Sequence, residues 1–350
     1  MRILVFEFVS GGGFAGQDVP ASLAREGAAM RTALVSDLAA IGRHQIVTTA
    51  DPRFPVEAPP GVEAVTLARG SGALLDRLIV SADAVWLVAP ETNGCLARLA
   101  ARAERKGTAI LGSGAAAIRR ASDKAGLPRR LCRHGVSHPK TRILRRGQDG
   151  KMNWNAAARD VGYPAVVKPG RGAGCGGVCL ARDARELQHA VEIALLAART
   201  GPLLLQRYVP GVAASVSLIA DGRRAVALAV NAQSVRASRP FTYRGGTTPL
   251  DHPLATRAVD RALRACQALP GLRGYVGVDL VLTDSEAVVI EVNPRLTTAY
   301  LGVRSALEGN AGAAGNVAAL ALAACAGDLP AAPPVRRRVR FSAAGRVVKL

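Results

Sequence analysis

The sequence predicts a mixed α/β protein with a parallel sheet in its N-terminal part and antiparallel hairpins further along the chain. In the first third of the chain, short apolar runs alternate with segments of helical periodicity, which is typical of parallel strands covered by helices. Later, the turn Asp221-Gly222 joins two apolar runs, and the polar segment 283–286 joins another two. At 350 residues the chain is long enough for two or three domains with a buried core.

The N-terminal part contains five predicted strands and three predicted helices. The strands are expected over 2–9, 46–49, 62–67, 84–89 and 109–111, and the helices over 21–41, 74–80 and 96–106. Ligands of such sheets bind beyond the carboxyl ends of the strands. Glu7, the glycines at 11–13 and Glu91 fall at such ends. The two carboxylates are therefore candidate substrate ligands, with ordinary loop residues as the alternative.

A second group of elements surrounds a lysine that closes an apolar strand. The strand 163–168 ends at Lys168, and the loop before the next strand, 178–181, contains Gly172, Gly174, Gly176 and Gly177. Glycines let backbone N–H groups approach phosphate oxygens, and the lysine adds a positive charge. The pattern predicts a nucleotide clamp, although a flexible hairpin loop beside a surface lysine has the same composition. It is not a P-loop, because the Gly-Lys-Ser/Thr ending is absent.

The remaining middle segments are predicted from periodicity and turn residues. A short helix is expected to begin at 121–124, with Ser122 or Asp123 as its cap. The other expected elements are a linker or exposed turn at 142–151, helices at 154–161, 183–199 and 255–269, a strand running into a turn at 203–211, hairpin strands at 215–220 and 224–230, and a mobile polar loop at 238–248.

The hairpin at 277–293 brings three oxygen-bearing side chains to one end. Asp279 lies in its first strand, and the second strand ends in Glu291 and Asn293. Two carboxylates and an amide oxygen are hard ligands that suit Mg²⁺, an ion that also binds substrate phosphates. The hairpin therefore predicts a metal site, with solvated strand ends as the alternative.

The last part of the chain is predicted to contain Ala-rich helices up to residue 326, a Pro-rich joint and a terminal hairpin. The strands of this hairpin are expected at 335–341 and 347–350. The first strand includes the dense basic run Arg336-Arg337-Arg338-Val339-Arg340. We interpret this run as a solvated edge strand whose charge discourages pairing with other chains.

Composition limits the classes of partner. Lys plus Arg number 46 against 26 Asp plus Glu, a net charge of +20, but the charge is spread along the chain and aromatic residues make up only 4%. Anionic small substrates, or a plain compositional bias, therefore explain the charge better than nucleic acid. The six cysteines lack paired spacing, which indicates neither a zinc site nor a disulfide framework and favours a reducing cytoplasm.

The sequence also predicts no membrane segment. No apolar run reaches the roughly 18 residues of a membrane span, and residues 1–8 indicate a strand rather than a signal peptide.

Five elements occur in the order and spacing of the ATP-grasp ligases, and the chain resembles that superfamily over essentially its whole length. They are Lys124, Lys168 with its glycine loop, the segment at Gln206, Asp279, and Glu291-Val-Asn-Pro-Arg295. The resemblance implies an α/β (α+β ATP-grasp) fold. Its parts would be an N-terminal parallel α/β domain at 1–121, a lid subdomain at 122–210, a C-terminal antiparallel-sheet metal-binding subdomain at 211–334 and a basic hairpin at 335–350.

The same resemblance implies a role for each matched residue. Lys124 and Lys168 would bind the phosphates of ATP beneath the glycine loop, and Arg295 with Lys168 would act on the transferring phosphoryl group. The adenine would be held by Gln206, Arg207, Tyr208 and Val209, and Mg²⁺, or Mn²⁺ in its place, by Asp279, Glu291 and Asn293. One departure is Ala213-Ala214, where the superfamily usually has an acidic residue on the ribose.

Within the superfamily the chain is most similar to the tyramine–glutamate ligases of methanofuran biosynthesis. The similarity is carried by Phe6-Glu7-Phe8 with the glycines, Arg25-Glu26-Gly27, Ala89-Pro90-Glu91-Thr92 and Asn293-Pro-Arg-Leu-Thr-Thr298. It implies that ATP drives the joining of the γ-carboxylate of glutamate to tyramine through an acyl phosphate. The candidate substrate residues are Glu7, Glu91, Arg239, Arg244, Thr297 and Tyr300.

Two other functions remain open at this point. The first keeps the fold with another acid–amine pair, as in dipeptide or D-alanyl ligases. The second is a non-enzymatic nucleic-acid binder that uses the C-terminal arginines. The sequence leaves the oligomeric state open, a homodimer included.

Overall fold

The computed structural model describes residues 1–145, 154–198, 201–308, 310 and 312–350, which form three β-sheets with helices packed against them. The predicted α/β class is confirmed. No helix in these ranges is long and apolar enough to cross a membrane.

The N-terminal sheet is parallel, as the alternation of strands and helices predicts. Its strands are β1 (Arg2–Glu7), β2 (Gln45–Ala50), β3 (Val62–Thr66), β4 (Ala84–Val88) and β5 (Ala109–Ile110), in the order β3-β2-β1-β4-β5. The helices are α1 (Ala21–Ala40), α2 (Gly72–Val80), α3 (Cys95–Arg105) and α4 (Ala115–Ser122), with a 3₁₀ turn at Thr92–Gly94. Ile3 and Val5 pack with α1, whereas Leu4 and Phe6 pack with α2 and α3, so helices cover both faces of the sheet.

The middle sheet is small and antiparallel. Its strands are β6 (Thr141–Leu144), β7 (Ala165–Pro169), β8 (Cys179–Ala181) and β9 (Leu203–Arg207), in the order β6-β9-β7-β8. Of the helices in this part of the chain, α5 (Leu127–Arg133) packs against the third sheet, whereas α6 (Asn155–Val161) and α7 (Ala184–Ala198) pack against this one. Alternate residues such as Val167 and Leu205 pack into a core with α6 and α7. Because side chains alternate along a strand, Lys168 and Gln206 point away from that core, toward the other face.

The third sheet is antiparallel and has seven strands. They are β10 (Val212–Asp221), β11 (Ala225–Arg236), β12 (Thr242–Thr248), β13 (Arg273–Leu282), β14 (Ala287–Asn293), β15 (Val339–Ser342) and β16 (Val347–Lys349), in the order β14-β13-β10-β11-β12-β15-β16. The helices are α8 (Ala255–Gln267), α9 (Ala299–Leu307) and α10 (Val317–Cys325), with a 3₁₀ turn at Gly312–Gly315. The terminal hairpin joins the sheet through β15, which pairs with β12.

The two faces of this third sheet have different surroundings. On one face, residues such as Val216 and Val278 pack against α8. On the other face, Asn231 donates to the hydroxyls of Ser215 and Ser217 over 3.2 and 3.0 Å. This polar face continues along β13 and β14 to the predicted metal ligands, so the sheet presents its functional side chains opposite α8.

One buried charge cluster ties the N-terminal domain to the third sheet. Asp37 on α1 accepts from Tyr300 over 2.5 Å and pairs with Arg304 on α9 over 2.6 Å. The side chain of Asn316, at the start of α10, donates to the backbone oxygen of Asp37 over 2.7 Å. These bonds connect residues more than 260 positions apart and fix α1 against α9 and α10.

Four local predictions differ from the structure. Residues 121–122 end α4 rather than begin a helix, and the next helix starts at Leu127; Asp123 accepts from the backbone N–H of Gly126 before that helix. The segment 238–248 is largely the strand β12, not a loop. Arg336 to Arg338 precede β15 instead of forming an edge strand. The linker expected at 142–151 overlaps the strand β6 at 142–144. Residues 146–151 of this linker lie outside the described ranges. Residue 199, the last of the helix expected at 183–199, also lies outside them.

Candidate active site

Two strands of the third sheet bring the predicted metal ligands together. In the β13–β14 hairpin Asp279 lies directly opposite Glu291, and Asn293 lies opposite Gly277. The Asn293 amide donates to Asp279 Oδ2 over 3.0 Å. Gln233 of β11 donates to Asp279 Oδ1 over 2.8 Å, and the sequence analysis missed this fourth residue.

The surroundings of Asp279 and Glu291 shift the pKa values of the two carboxyl groups in opposite directions. Burial raises the pKa of Asp279, and the adjacent Glu291 raises it further. Burial also opposes ionisation of Glu291, but the ammonium groups of Lys124 and Lys168 outweigh it and hold the pKa of Glu291 below its usual range. Lys124 Nζ lies 2.6 Å from Glu291 Oε2. A further cation beside Asp279 would stabilise this group of charges.

The donor set fits a hard divalent cation. Asp279 and Glu291 supply carboxylate oxygens and Asn293 an amide oxygen, and these are the donors that Mg²⁺ and Mn²⁺ prefer. Only two carboxylates contribute, which leaves coordination positions for water and substrate phosphates. Among the residues that the structure describes, no cluster of three or more His, Cys, Asp or Glu side chains offers a competing metal site.

Two lysines from different segments face these carboxylates. Lys124 follows α4, and Lys168 lies in β7, where it is only 5% exposed. Lys168 donates to Gln206 Oε1 over 2.9 Å, and Gln206 donates to Thr141 Oγ1 over 2.9 Å. Burial and the charge of Lys124 lower the pKa of Lys168 to about 8, and burial and Lys168 lower the pKa of His138 to about 4. Two buried ammonium groups this close together favour an anion between them.

The glycine loop joins β7 to β8 and lies over the same site. Burial, followed by Glu291 and Asp279, raises the pKa of Cys175 in this loop to about 11, so the loop is near both carboxylates. Gly177 has a φ of +71°, and a Cβ there would lie 2.5 Å from Ala197 Cβ, so only glycine fits. Gly174 has a φ of +60° and open space around it, as a loop that admits a phosphate requires. Gly172 and Gly176 lie in the same loop.

Arg295 follows β14 and forms a buried ion pair with the N-terminal domain. Its Nε and one terminal nitrogen donate to the two carboxylate oxygens of Glu91, each over 2.9 Å, across 204 residues of sequence. The side chains are 14% and 6% exposed. Burial opposes the charge on Arg295, but Glu91 outweighs it and raises the pKa of the guanidinium. The planar pair holds the guanidinium fork at the junction of the two domains.

Glu26 is a further residue at this junction, and the sequence analysis gave it no role. It lies on α1, half-buried, and accepts a hydrogen bond from the Thr298 hydroxyl. Its charge contributes to raising the pKa values of Arg295 and of the Tyr243 hydroxyl on β12. Within the described residues it has no salt-bridge partner, in contrast to Glu91 and Glu291. The sequence showed Glu26 only as part of the Arg25-Glu26-Gly27 segment of the family resemblance, and that segment does not indicate that Glu26 lies at the junction of the two domains.

Four candidate substrate residues make other contacts or lie on other surfaces: Glu7, Tyr300, Arg239 and Arg244. Glu7 is 1% exposed and accepts from the backbone N–H groups of Val9 and Ser10 over 2.8 and 2.6 Å. It therefore stabilises the turn that follows β1. Tyr300 is fully buried and bonded to Asp37. Arg239 pairs with Glu186 of α7.

The side chain of Arg244 is exposed and lines a groove formed by β11, β12, β15 and β16. These four side chains are therefore left out of the substrate site. Thr297 remains beside it, since a Cβ on Gly277 would lie 2.7 Å from its methyl group.

The predicted adenine strand is present as β9 and the residues after it. The side-chain oxygen of Gln206 accepts a hydrogen bond from Lys168. The Arg207 side chain donates to the backbone oxygen of Val161 over 3.1 Å. Tyr208 donates its backbone N–H to Pro164, and Tyr208 and Val209 are half-buried.

Comparison with known families agrees with this geometry. The family model described as the ATP-grasp domain matches residues 121–299, and the pre-ATP-grasp domain model matches residues 44–118. The first match alone covers more than half of the chain and includes both lysines, the glycine loop, the metal-ligand set and Arg295. The chain belongs to the ATP-grasp family.

Individual relatives of this ATP-grasp chain include two kinds of ligase. The tyramine–L-glutamate ligase of Methanocaldococcus fervens is 38% identical over 102 residues, which are 29% of this chain and 33% of that protein. The D-alanine–D-alanine ligase of Gloeobacter violaceus is 30% identical over 237 residues, which are 64% of this chain and 76% of that protein. The chain therefore spans about a third of the length of the curated tyramine ligases it matches.

A solved structure shows that the resemblance extends over the whole fold. An ATP-grasp superfamily protein from Archaeoglobus fulgidus aligns with a TM-score of 0.70 at 25% identity, over 97% of this chain and 92% of that chain. The ATP-grasp architecture expected from the sequence is thereby confirmed.

Proposed function

We propose that this ATP-grasp protein is an ATP- and Mg²⁺-dependent carboxylate–amine ligase that works through an acyl phosphate. One observation carries the proposal: Lys124, Lys168, Asp279, Glu291 and Arg295 meet where the three sheets adjoin. Two buried ammonium groups, a guanidinium and a pair of carboxylates with metal-ligand chemistry are what a phosphoryl-transfer site needs.

The charge of each residue determines its proposed role: cationic side chains bind phosphate groups, and side chains with oxygen donors bind the metal ion. Lys124 and Lys168 bind the phosphates of ATP, and the glycine loop closes over them and excludes water, which would otherwise hydrolyse the acyl phosphate. Asp279, Glu291 and Asn293 would hold Mg²⁺, or Mn²⁺ in the same hard-donor set. When bound, the ion supplies positive charge that neutralises the phosphate oxygens. Arg295 stabilises the negative charge of the transferring group.

The reaction has two balanced steps. A substrate carboxylate oxygen attacks the γ-phosphorus, the bond to the ADP oxygen breaks, and ADP leaves. The amine then attacks the acyl carbon, and the carbon–oxygen bond breaks. Inorganic phosphate leaves with that oxygen, and the nitrogen loses a proton as the amide forms. Lys168 and Arg295 offset the charge that develops in the first step.

For the substrates we propose glutamate, through its γ-carboxylate, and tyramine. The 38% identity with a tyramine–L-glutamate ligase supports this pair, although it extends over 102 residues only. Glu26 also supports it, because a half-buried carboxylate with no salt-bridge partner among the described residues suits the ammonium group of an amino acid or amine. The proposed ammonium ligand is thus Glu26 rather than Glu7 or Glu91.

Replacing Glu26 with glutamine should raise KM for one of the two ammonium-bearing substrates by about 10- to 100-fold, the effect of losing a charge-assisted hydrogen bond. KM for ATP should change little. Glu57→Gln, an exposed carboxylate of the same domain, is the matched control. Steady-state kinetics of ADP release would measure all three constants. An unchanged KM for both the acid and the amine would remove Glu26 from the substrate site.

A D-alanine–D-alanine or dipeptide ligase is the second candidate, because the Gloeobacter enzyme is matched over 76% of its length. Screening ADP release over acid–amine pairs distinguishes the two. With ATP, Mg²⁺, glutamate and tyramine we expect ADP, phosphate and γ-glutamyltyramine, and with hydroxylamine in place of the amine a glutamyl hydroxamate. ADP release with D-alanine alone, and none with glutamate, would replace the substrate assignment and leave the ligase proposal standing.

The pKa of Lys168 predicts a pH dependence. Because burial and Lys124 lower this pKa to about 8, the group loses its charge as the pH rises through that value. The kcat/KM for ATP reports on the free enzyme, so it should fall above pH 8. Lys168→Arg keeps the charge and should shift the decline to higher pH. The same decline in both proteins would assign it to another group.

A further inference from the structure

A groove on the third sheet lies apart from the active site and holds three arginines. Its volume is about 610 Å³, within the roughly 300–1,000 Å³ of small-molecule sites. The arginines come from separate elements: Arg244 from β12, Arg340 from β15, and Arg346 from the turn before β16. Hydroxyl groups of Ser234, Thr247 and Ser342 also line it.

Strand register places this groove on the side of the sheet opposite the metal ligands. Ala232 pairs with Thr247, Thr247 with Arg340, and Arg340 with Val348, and all four residues line the groove. Directly paired residues share a face. Val230, two residues before Ala232, packs in the core with α8, so the groove continues the face that α8 covers elsewhere.

The neighbouring residue Gln233 marks the other face. It lies between Ala232 and Ser234, and its side chain bonds Asp279. Gln233 also contributes to the lining of the groove, so the groove and the proposed metal ligands lie on opposite faces of the sheet with Gln233 between them. A ligand held by Arg340 on the groove face would not occupy the ATP site.

The arginines of the groove differ from two other arginines of the C-terminal basic run, Arg336 and Arg337. Arg336 donates to Asn310 Oδ1 over 2.8 Å, and Arg337 pairs with Glu308 over 3.0 Å, so both fasten the chain to the end of α9. Arg340, Arg244 and Arg346 are exposed, and within the described residues none has a salt-bridge partner. Three unpaired guanidinium groups around one concave surface match phosphate or carboxylate geometry.

We propose that this groove binds a small-molecule anion carrying two or more phosphate or carboxylate groups. The proposal is independent of the ligase activity. The three guanidinium groups can supply bidentate contacts, and the hydroxyl groups that line the groove can satisfy the remaining oxygens. The volume suits a metabolite-sized ligand rather than a polymer.

Isothermal titration calorimetry of the full chain with pyrophosphate and with citrate, at about 0.15 M salt to screen weak surface attraction, tests the proposal. We expect at least one probe to bind. The variant Arg244→Gln/Arg340→Gln should weaken that binding by at least about tenfold, which corresponds to the loss of one charge-assisted contact. The variant Arg105→Gln/Arg223→Gln removes the same charge from exposed positions elsewhere and should bind as the wild type does.

Four outcomes would overturn the proposal. The first is that neither probe binds the wild type, and the second is that the control variant weakens binding as much as the groove variant does. The third is loss of binding in Lys168→Ala, which would assign the probe to the active site. The fourth is a dimer, detected by light scattering, that the groove variant dissociates, which would make the surface an interface between copies. Point substitutions are used because deleting residues 335–350 would remove two strands from the sheet.

Discussion

Replacing Glu291 with alanine is expected to lower ADP formation by at least about 10²- to 10³-fold, the usual effect of removing one electrostatic contact to a transition state. Glu291 supplies a carboxylate to the proposed metal site and also positions Lys124, 2.6 Å away. The fold should persist, because Lys124 keeps a second carboxylate nearby, that of Asp279, whose pKa is no longer raised by Glu291. Coupled-assay kinetics and a melting curve measure the two effects.

The hairpin itself provides the control for Glu291. Asp284 is an exposed carboxylate in the turn between the same two strands, so Asp284→Ala tests for a general charge effect. We expect it to retain wild-type activity. Wild-type turnover in Glu291→Ala, or an equal loss in both variants, would mean that the metal site lies elsewhere.

Arg295→Ala should have an equally large effect on activity, together with a loss of stability. The substitution leaves Glu91, only 6% exposed, without its partner, and breaking a buried pair in this way costs about 3–5 kcal/mol. It also removes the guanidinium from the site of phosphoryl transfer. We expect ADP formation to fall by at least about 10²-fold and the melting temperature to drop.

A double variant separates the two roles of Arg295. In Glu91→Gln/Arg295→Ala the buried carboxylate is replaced by a neutral amide, so much of the stability should return. Activity should stay lost, because the guanidinium is still absent. Recovery of ADP formation along with stability would show that Arg295 acts only by holding the two domains together.

Much of the fold could be predicted from sequence because its signals are local. The N-terminal strands and helices and the β13–β14 hairpin follow from apolar periodicity and turn residues. The strand β12 was missed because Gly245 and Gly246 indicate a loop. The structure requires them for packing instead: a Cβ on Gly245 would lie 2.0 Å from Phe341 O, and one on Gly246 would lie 2.1 Å from Ala232 O.

The site was predicted less completely because its pairings are not local. The lysines and the proposed metal ligands stand in recognisable motifs, and the structure brings them together. Sequence does not reveal which strand-end carboxylate is already satisfied: Glu7 binds the backbone next to it, and Glu91 binds a guanidinium 204 residues away. Among the described residues Glu26 has no salt-bridge partner, and the sequence marked it only as part of the Arg25-Glu26-Gly27 segment of the family resemblance, without a role.

Isotope transfer from the acid substrate tests the central claim most directly. The acid selected by the ADP-release screen, glutamate by our proposal, is labelled with ¹⁸O in the reacting carboxylate and incubated with ATP, Mg²⁺ and the amine. An acyl phosphate passes one carboxylate oxygen to phosphate, so mass spectrometry should find one ¹⁸O in each inorganic phosphate released. Unlabelled phosphate, or AMP with pyrophosphate in place of ADP, would contradict the mechanism.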